Sequence, residues 1–364
     1  MNDFASEPMN ALPLARAART SPTSLWNDSA DLAELSSSIG FGAVGATCNP
    51  VIALAVIKAN LPEWRIRLAG LAAEHPTAGE SEIGWLAVEQ LSIEAARLLE
   101  PAFADSRGRN GRLSIQTDPR FHRDSAALVE QAVHFSGLAD NIIVKIPATR
   151  VGIEAIEEAT YRGVSINVTV SFSVAQAVAA AEAIERGLQR RANDNLAEAE
   201  FGSVVTIMGG RLDDWLKYRA GVDRVLIDPG HFEWAGVAVL KKAYAIFQER
   251  GFHSRILSAA FRNHMHWSEL VGGDLVISPP YDWQARINES QLHADNRIST
   301  PVDPRIVDSL YAHSPDFRRA YELDGLTVEE FDTFGPTVRT LRQFLQADAE
   351  LDAVVRDVLV PDAV

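Results

Sequence analysis

The sequence is short of cysteine and of long apolar runs. Its 364 residues include a single cysteine, Cys48, and no apolar stretch as long as a membrane span. One cysteine excludes an intramolecular disulfide framework and a zinc site built from several thiolates. The segment 1–20 carries an early acid and no continuous apolar core, so we do not expect it to be a secretory signal. We therefore expect a soluble protein of the cytoplasm.

Basic residues are also in deficit. The chain has 34 Lys and Arg against 49 Asp and Glu, a formal net charge of −15, and a sequence pI near 5.1. Most of such a surface would repel a phosphate polymer or an acidic membrane, which argues against nucleic-acid and membrane partners. A small anionic substrate remains compatible with this balance, because it needs only a few local cations.

Short β-branched runs alternate with longer helical patterns along most of the chain. Each run has the length of a buried parallel strand. The predicted strands are Ser24–Asn27, Ala43–Asn49, Arg112–Thr117, Ile142–Pro147, Ser165–Val170, Ser203–Met208, Arg255–Phe261 and Leu275–Ser278. The predicted helices include Ile153–Tyr161, Val174–Arg190 and Trp234–Arg250. Eight strand–helix units predict a closed (β/α)8 TIM barrel, and no G-x-G-x-x-G motif follows the first strand to favour a dinucleotide-binding fold.

The same patterns divide the chain into three parts. Residues 1–22 lack a sustained period and are predicted to form a flexible N-terminal tail. Residues 23–299 contain the strand–helix units and form the predicted barrel. Residues 300–364 have the spacing of amphipathic helices, which predicts a C-terminal helical extension packed on the barrel.

Polar residues interrupt the apolar runs at the carboxyl ends of predicted strands, where a (β/α)8 barrel carries its active site. Lys145 is the one charge within Ile142–Pro147. Burial disfavours the ammonium form and lowers the lysine pKa, which yields a nucleophilic amine able to form a Schiff base. The alternative is a structural lysine that snorkels or pairs with Asp28. Asp28 itself suits either a general acid/base or the N-cap of a helix beginning at Ala30.

Uncharged polar side chains accompany the lysine. Asn167 and Thr169 share one face of the fifth predicted strand, and Thr47 and Asn49 repeat this arrangement at the end of the second. Gln116 lies late in the third strand. Such residues bind a polar substrate or, alternatively, satisfy buried backbone groups.

Two arginines follow later strands, Arg211 after a pair of glycines and Arg262 after the seventh strand. Fixed guanidinium groups suit a phosphate dianion, whereas a single surface arginine more often forms a salt bridge. His264 and His266 are two residues apart and have no evident third partner, so we expect them to line a loop and predict no metal site. Strand alternation points Cys48 away from the barrel axis, as a core thiol.

Seven ordered motifs resemble those of the transaldolase family, class I enzymes that use a Schiff-base lysine. The resemblance extends from about Ser24 to the C-terminal helices. The motifs are GATCNP (45–50), SIQTDPR (114–120), IIVKIPAT (142–149), INVTVSFSVAQA (166–177), GGRLDDW (209–215), AAFRN (259–263) and VISP (276–279).

This resemblance implies roles for the polar residues. Lys145 is the implied Schiff-base lysine, Asp28 the acid/base that acts on the C4 hydroxyl in carbon–carbon cleavage, and Thr169 the residue that holds the catalytic water. Gln116 completes the implied catalytic set. The asparagines would bind dihydroxyacetone hydroxyls and the arginines the phosphate of a sugar phosphate. The implied substrate-binding residues are Thr47, Asn49, Asn167, Thr206, Arg211 and Arg262.

The chain departs from the family pattern at four positions. Gln116 stands where the family usually has a glutamate that relays protons through a water. The fructose 6-phosphate aldolase branch also has glutamine there but adds a nearby tyrosine, where this chain has Met208 and transaldolases have phenylalanine. Thr206 replaces the usual serine, and Ala260 replaces the serine beside Arg262.

The resemblance therefore implies transfer of a dihydroxyacetone unit between sugar phosphates, in the pentose phosphate pathway, without a cofactor. Two alternatives remain open at this point. The first is an aldolase that releases free dihydroxyacetone, suggested by Gln116. The second is a catalytically weak, sugar-phosphate-binding member, suggested by all four departures together. The oligomeric state is also open, with a homodimer as one option.

Overall fold

Eight parallel strands close into a barrel in which each strand pairs with the next along the chain and the last pairs with the first. The computed structural model describes residues 12–196, 202–290, 292 and 295–362. The strands are β1 Ser24–Asn27, β2 Ala43–Thr47, β3 Arg112–Gln116, β4 Ile142–Pro147, β5 Ile166–Thr169, β6 Val204–Ile207, β7 Arg255–Ser258 and β8 Val276–Ile277. The predicted (β/α)8 barrel is thereby confirmed.

Helices separate successive strands and continue after the last one. They are α1 Pro13–Thr20, α2 Leu32–Gly40, α3 Pro50–Ala59, α4 Leu61–Glu74, α5 Glu80–Asp105, α6 Ser125–Ser136, α7 Arg150–Tyr161, α8 Val174–Asn193, α9 Gly209–Asp223, α10 Ala235–Arg250, α11 Met265–Ser268, α12 Tyr281–Glu289, α13 Pro304–His313, α14 Pro315–Tyr321 and α15 Gly335–Leu359. Short 3₁₀ segments lie at Pro119–Phe121, Pro229–Trp234 and Val328–Thr333. None of these helices is both long and apolar enough to cross a membrane.

Two apolar cores are separated by the barrel wall. The larger core lies between the strands and the surrounding helices and includes Ile142, Val144 and Ile146 of β4. Because successive strand residues alternate faces, Ile143 and Lys145 point the other way, into the barrel. The smaller core fills the barrel interior below the site and consists of Trp26, Ile143, Val204, Leu257, Ala259 and Val276.

Several strands end because a capping residue begins the next helix. The predicted second strand extended to Asn49, but β2 ends at Thr47 and the Asn49 side chain caps α3. Thr149 and Ser173 cap α7 and α8 in the same way, accepting hydrogen bonds from Gly152 N at 3.1 Å and Gln176 N at 3.0 Å. Such caps satisfy the free N–H groups of a first helical turn. They keep the connections short at the end of the barrel that carries the polar side chains.

The N-terminal segment differs from the predicted flexible tail. Pro13–Thr20 forms helix α1, whose Leu14 side chain is buried. Leu14 N also donates to Asn288 Oδ1 of α12 at 3.2 Å. The tail prediction is therefore wrong for this segment, because a helix of 8 residues is too short to be stable alone and gains its stability from burial against a distant helix. The remaining part of the predicted tail, 1–11, lies outside the described residues.

Helix α15 returns across the barrel and contacts α3, α5 and α9. Its Asp348 carboxylate lies 3.0 Å from Arg120 Nε, in the connection after β3. Its Thr340 hydroxyl lies 3.4 Å from Arg211 Nη1, in the first turn of α9 after β6. The C-terminal helix thus reaches the connections that follow two strands, at the end of the barrel where the site lies.

Candidate active site

Lys145 lies at the centre of the polar side chains inside the barrel. Strand pairing puts it level with Gln116 on β3 and Asn167 on β5. Its side chain is almost completely buried, with 4% of the residue exposed, and among the described residues nothing forms a hydrogen bond with its Nζ. Burial lowers the pKa of Lys145, and Asp28 opposes this shift only in part. A lowered pKa favours the neutral amine, which is the form that attacks a carbonyl carbon.

Asp28 follows β1 and is half-buried beside the lysine. Thr47 Oγ1 donates a hydrogen bond to Asp28 Oδ1, which fixes the carboxylate at the barrel mouth. The alternative that Asp28 caps the following helix is wrong, because α2 begins at Leu32 and its N-cap is Asp31. Asp31 Oδ1 accepts the N–H groups of the first turn. The Asp28 carboxylate is therefore free of a capping role and suits proton transfer.

Asn167 is held in one orientation by two hydroxyls. Its Nδ2 donates to Ser114 Oγ at 2.9 Å, and its Oδ1 accepts from Thr206 Oγ1 at 2.7 Å. All three residues are buried. Thr206 therefore orients the asparagine, a role that it shares with Ser114, which sequence reasoning missed. Ser114 was detectable in principle, because it precedes Gln116 by two residues on the inward face of β3.

The amide oxygen of Asn49 is used by the fold. It accepts hydrogen bonds from Val51 N at 2.9 Å and Ile52 N at 3.1 Å, as the cap of α3. Only the Nδ2 group of Asn49 is left to donate to a ligand. The second role considered for these polar residues, satisfaction of backbone groups, therefore applies to the oxygen of Asn49 but not to its Nδ2 group.

Arg211 and Arg262 come together from the starts of two neighbouring connections. The pKa of Arg211 is lowered to about 10, mainly by burial and next by the like charge of Arg262. A close approach of backbones makes this possible, since a Cβ at Gly210 would lie 1.9 Å from Ala260 O and 2.7 Å from Arg262 Cγ. Ala260 has φ of 62°, in the left-handed region, in the connection between β7 and α11. The two guanidinium groups thus form a cationic end of the site.

Residues 25–329 match the model of a family described as Transaldolase/Fructose-6-phosphate aldolase. A transaldolase of Arthrobacter sp. (strain FB24) is 31% identical over 84% of this chain and 82% of its own length. Transaldolase 1 of Streptomyces coelicolor is 30% identical over 79% of this chain and 78% of its own. The chain belongs to the transaldolase/fructose-6-phosphate aldolase family.

Gln116 is the departure from the transaldolase motifs that lies nearest to Lys145. The residue is 4% exposed, and its buried Oε1 has no hydrogen-bond partner among the described residues. An amide oxygen accepts a hydrogen bond but takes no proton near neutral pH, unlike a carboxylate. Residue 116 therefore suits the positioning of a water or a substrate hydroxyl next to the amine.

Met208 lies beside Thr169 at the same end of the transaldolase-type barrel. Thr169 Oγ1 points at Met208 Sδ across 3.9 Å, and both residues are buried. A thioether is a weak acceptor and carries no proton, so it cannot assist acid–base chemistry as a tyrosine hydroxyl does. The Thr169 hydroxyl consequently keeps most of its hydrogen-bonding capacity for a ligand or a water.

The remaining predicted side chains lie outside the reacting centre. Cys48 belongs to the core between barrel and helices, and burial raises its pKa to about 12. His266 is fully buried, with Nε2 at 3.0 Å from Asp213 Oδ2, while its Nδ1 accepts from Arg262 N at 3.1 Å. His264 is exposed and its Nδ1 lies 3.1 Å from Ser268 Oγ.

Sequence reasoning missed the contribution of the C-terminal helix to this transaldolase-family site. Arg211 Nη1 donates to Gln343 Oε1 and contacts Thr340 Oγ1 at 3.4 Å, both on α15. Arg262 is held differently, by Asp214 Oδ2, which lies 2.8 Å from both Nε and Nη2. No local pattern indicates the α15 contacts, because they join residues 129 and 132 positions apart.

Proposed function

We propose that the chain is a transaldolase that moves a three-carbon dihydroxyacetone unit between sugar phosphates, a reaction of the pentose phosphate pathway. The observation that carries the proposal is the buried, unbonded amine of Lys145, level with Gln116 and Asn167 on neighbouring strands. The family description names fructose 6-phosphate, which supports a phosphorylated ketose as donor. We keep a cytoplasmic location as a prediction from composition alone.

The first half of the reaction forms and cleaves an imine. Lys145 Nζ attacks the C2 carbonyl of the ketose, and loss of one water leaves the imine. Asp28 then takes the proton of the C4 hydroxyl, the C3–C4 bond breaks, and its electrons move towards the imine nitrogen to give an enamine. The aldehyde fragment leaves. The Thr47 hydrogen bond to Asp28 supports this step by keeping the carboxylate oriented towards the barrel axis.

The second half reverses these steps with a different aldehyde. The enamine carbon attacks the acceptor carbonyl, Asp28 returns its proton to the new alkoxide, and water hydrolyses the imine to free the amine. Asn167, oriented by Ser114 and Thr206, suits the hydroxyls of the bound unit. Arg211 and Arg262 suit the phosphate, because a guanidinium pair gives charge-assisted hydrogen bonds to a dianion.

A second candidate is aldolase activity that releases free dihydroxyacetone. Gln116 favours it, because its unpaired Oε1 can hold a water beside the imine, while residue 116 itself supplies no carboxylate to the transferase proton relay. The two activities share the imine on Lys145. They differ in the fate of the enamine: attack on an aldehyde completes the transfer, whereas protonation of the enamine carbon followed by hydrolysis of the imine releases dihydroxyacetone.

Borohydride trapping tests the shared intermediate. Incubation with fructose 6-phosphate and borohydride is expected to leave a stable mass increase on the peptide that contains Lys145, and Lys145→Ala is expected to abolish it. Lys241 is an internal control, since it is also buried but bonded to Glu269 Oε2 at 2.9 Å and to the carbonyls of Arg297 and Thr300. Labelling of Lys241 as strongly as Lys145, or no labelling with any ketose phosphate, would favour a member that only binds sugar phosphates.

A further inference from the structure

Two buried ionisable side chains beside the cationic end take no part in the proposed reaction. Asp213 lies on α9, two residues after Arg211, and His266 lies on α11, four residues after Arg262. Both are fully buried. Burial of a carboxylate and an imidazole costs free energy unless each meets a specific partner, so their partners indicate what the two residues do.

The contacts of the His266 ring assign its proton to one nitrogen. Nδ1 accepts a hydrogen bond from the backbone N–H of Arg262 at 3.1 Å, so this nitrogen carries no proton. The proton of the neutral ring is then on Nε2, which lies 3.0 Å from Asp213 Oδ2. Among the described residues neither of these two atoms has another hydrogen-bond partner. Asp213 therefore selects the tautomer in which His266 accepts from Arg262.

Helix α9 thus fixes Arg262 at two points. The Asp214 carboxylate holds the guanidinium, with Oδ2 at 2.8 Å from both Nε and Nη2. Asp213, the preceding residue, acts on the backbone of Arg262 through His266, and its own orientation is set by Oδ1, which accepts from Gly236 N at 2.7 Å. Because Arg211 lies in the first turn of the same helix, these contacts also fix the two guanidinium groups relative to each other.

The connection that carries Arg262 needs such support. Ala260, two residues earlier, has φ of 62°, a left-handed conformation that costs free energy for any residue with a Cβ. A conformation of this kind persists only where surrounding contacts fix it. The hydrogen bond from Arg262 N to His266 is such a contact, and it joins the strained part of the connection to the buried start of α11.

We infer that Asp213 and His266 form a positioning pair that fixes Arg262 for the phosphate of the substrate, and so sets the preference for phosphorylated over unphosphorylated ketoses. The inference rests on the proposed function. The pair acts through the backbone of Arg262 and not by contact with the substrate, because both side chains are fully buried. A dianion shared by two arginines needs both guanidinium groups in place, which is the condition that this pair maintains.

Asp213→Asn tests the pair without a change of size. Gly236 N would still need the amide oxygen, so the amide NH2 group would face His266 Nε2 and donate to it. The ring proton would then lie on Nδ1, which could no longer accept from Arg262. We expect phosphate binding to weaken roughly 3- to 10-fold, a part of the roughly 10- to 150-fold that a lost charge-assisted hydrogen bond costs. Removal of a negative charge near the cationic end would by itself do the opposite and strengthen anion binding.

Two substitutions of His266 separate its hydrogen bond to Arg262 from the packing of its ring. Asparagine places an amide oxygen near the position of Nδ1 and keeps an acceptor, whereas glutamine places its amide nitrogen near Nε2 and keeps only a donor towards Asp213. We expect His266→Gln to weaken phosphate binding as Asp213→Asn does, and His266→Asn to stay within about 2-fold of wild type. Adding Asp213→Asn to His266→Asn should weaken binding no further, because the asparagine acceptor does not depend on a tautomer.

Titration calorimetry with inorganic phosphate, and the KM and kcat for fructose 6-phosphate and fructose, measure these effects. The KM for fructose 6-phosphate should follow the phosphate dissociation constant, with both parameters for fructose near wild type. Nitrogen chemical shifts of the His266 ring report the tautomer, Nε2–H in the wild type and Nδ1–H in Asp213→Asn. His264→Gln is the matched control, because His264 lies on the same connection but is exposed and contacts Ser268 Oγ at 3.1 Å. If Asp213→Asn does not fold, the contrast between the two His266 variants decides the matter.

The outcomes separate this inference from the proposed function. If Arg262→Gln loses phosphate binding while Asp213→Asn and His266→Gln bind as wild type does, the inference is wrong and the proposed function stands. Stronger binding in Asp213→Asn, or equal weakening in the two His266 variants, would also overturn it, since charge or packing would then be the cause. If Arg262→Gln binds phosphate as well as wild type, the proposed anion site itself is wrong, whereas the borohydride result on Lys145 still decides the imine chemistry.

Discussion

Replacing Gln116 by glutamate is the most direct test of how this barrel moves protons. The side chain at 116 is almost fully buried, has the same shape in both forms, and lies level with Lys145 on the neighbouring strand. Side chains on one face of neighbouring strands are about 5 Å apart. At an effective dielectric constant of about 20, unit charges at that separation attract by about 3 kcal/mol.

This attraction predicts two separate effects of Gln116→Glu. It favours the ammonium form of Lys145, which raises the pKa of the amine from its lowered value, so the acidic limb of kcat/KM moves to higher pH. The carboxyl group also supplies a proton relay, and general acid–base groups contribute about 10²- to 10⁴-fold to a rate. By resemblance to the glutamate-bearing enzymes, transfer to erythrose 4-phosphate should rise and release of free dihydroxyacetone should fall.

The assays measure transfer with erythrose 4-phosphate as acceptor, dihydroxyacetone release from fructose 6-phosphate alone, and the pH dependence of both. Gln346→Glu is the control, because it adds the same charge on the exposed side of α15. An acidic limb that does not move, together with unchanged rates, would refute the reasoning. It would mean that residue 116 does not face the amine and lies outside the proton relay.

Three further substitutions give expected outcomes at other points of the site. Asp28→Asn should lower kcat by about 10²- to 10⁴-fold while borohydride still traps the imine on Lys145, so a loss of trapping would argue for a structural role. In Gly210→Ala the new Cβ would lie 1.9 Å from Ala260 O and 2.7 Å from Arg262 Cγ, so it should push the two arginines apart. The KM for phosphorylated substrates should therefore rise more than the KM for unphosphorylated ones, and equal changes would contradict this. Burial raises the pKa of Asp348 from 3.8 to about 7, so between about pH 4 and 7 the folded state binds more protons than the unfolded state. The folded state therefore loses stability as the pH rises through this range. Asp348→Asn removes this titration and should flatten the loss. Melting temperatures across that range, compared with wild type, measure the effect, and an unchanged slope would count against it.

Most of the barrel could be predicted from the sequence, because the order of strands and helices and the face on which each strand residue lies follow from local patterns. Alternation along the fifth strand predicted that Asn167 and Thr169 share one face, and the residues that alternate with them, Ile166, Val168 and Val170, do lie in the larger core outside the barrel. Strand ends were less well predicted. Asn49 continues the apolar run of β2 in sequence but caps α3 in the structure, because capping depends on the following N–H groups rather than on hydropathy.

Local patterns also left open whether Asp28 caps a helix beginning at Ala30, whereas α2 begins at Leu32 and Asp31 caps it. Asp28 and Asp31 lie within one helical turn, and either is a preferred cap residue. The choice depends on where α2 begins, and that is set by the packing of the helix against its neighbours. The segment Pro13–Thr20 is a comparable case, because a helix of 8 residues depends on burial against α12 for its stability.

The sequence by itself predicted the kind of chemistry, since a lysine in an apolar strand and polar residues on the inward faces of its neighbours can be identified by counting along the chain. Tertiary structure alone decided how the cationic end of the site is built. Thr340 and Gln343 approach Arg211, and the buried Asp213–His266 pair holds the backbone of Arg262. These contacts join segments far apart in the chain, and the free energy that forms them comes from packing whole helices on the barrel. No spacing rule encodes such contacts, so they became visible only when the chain was folded.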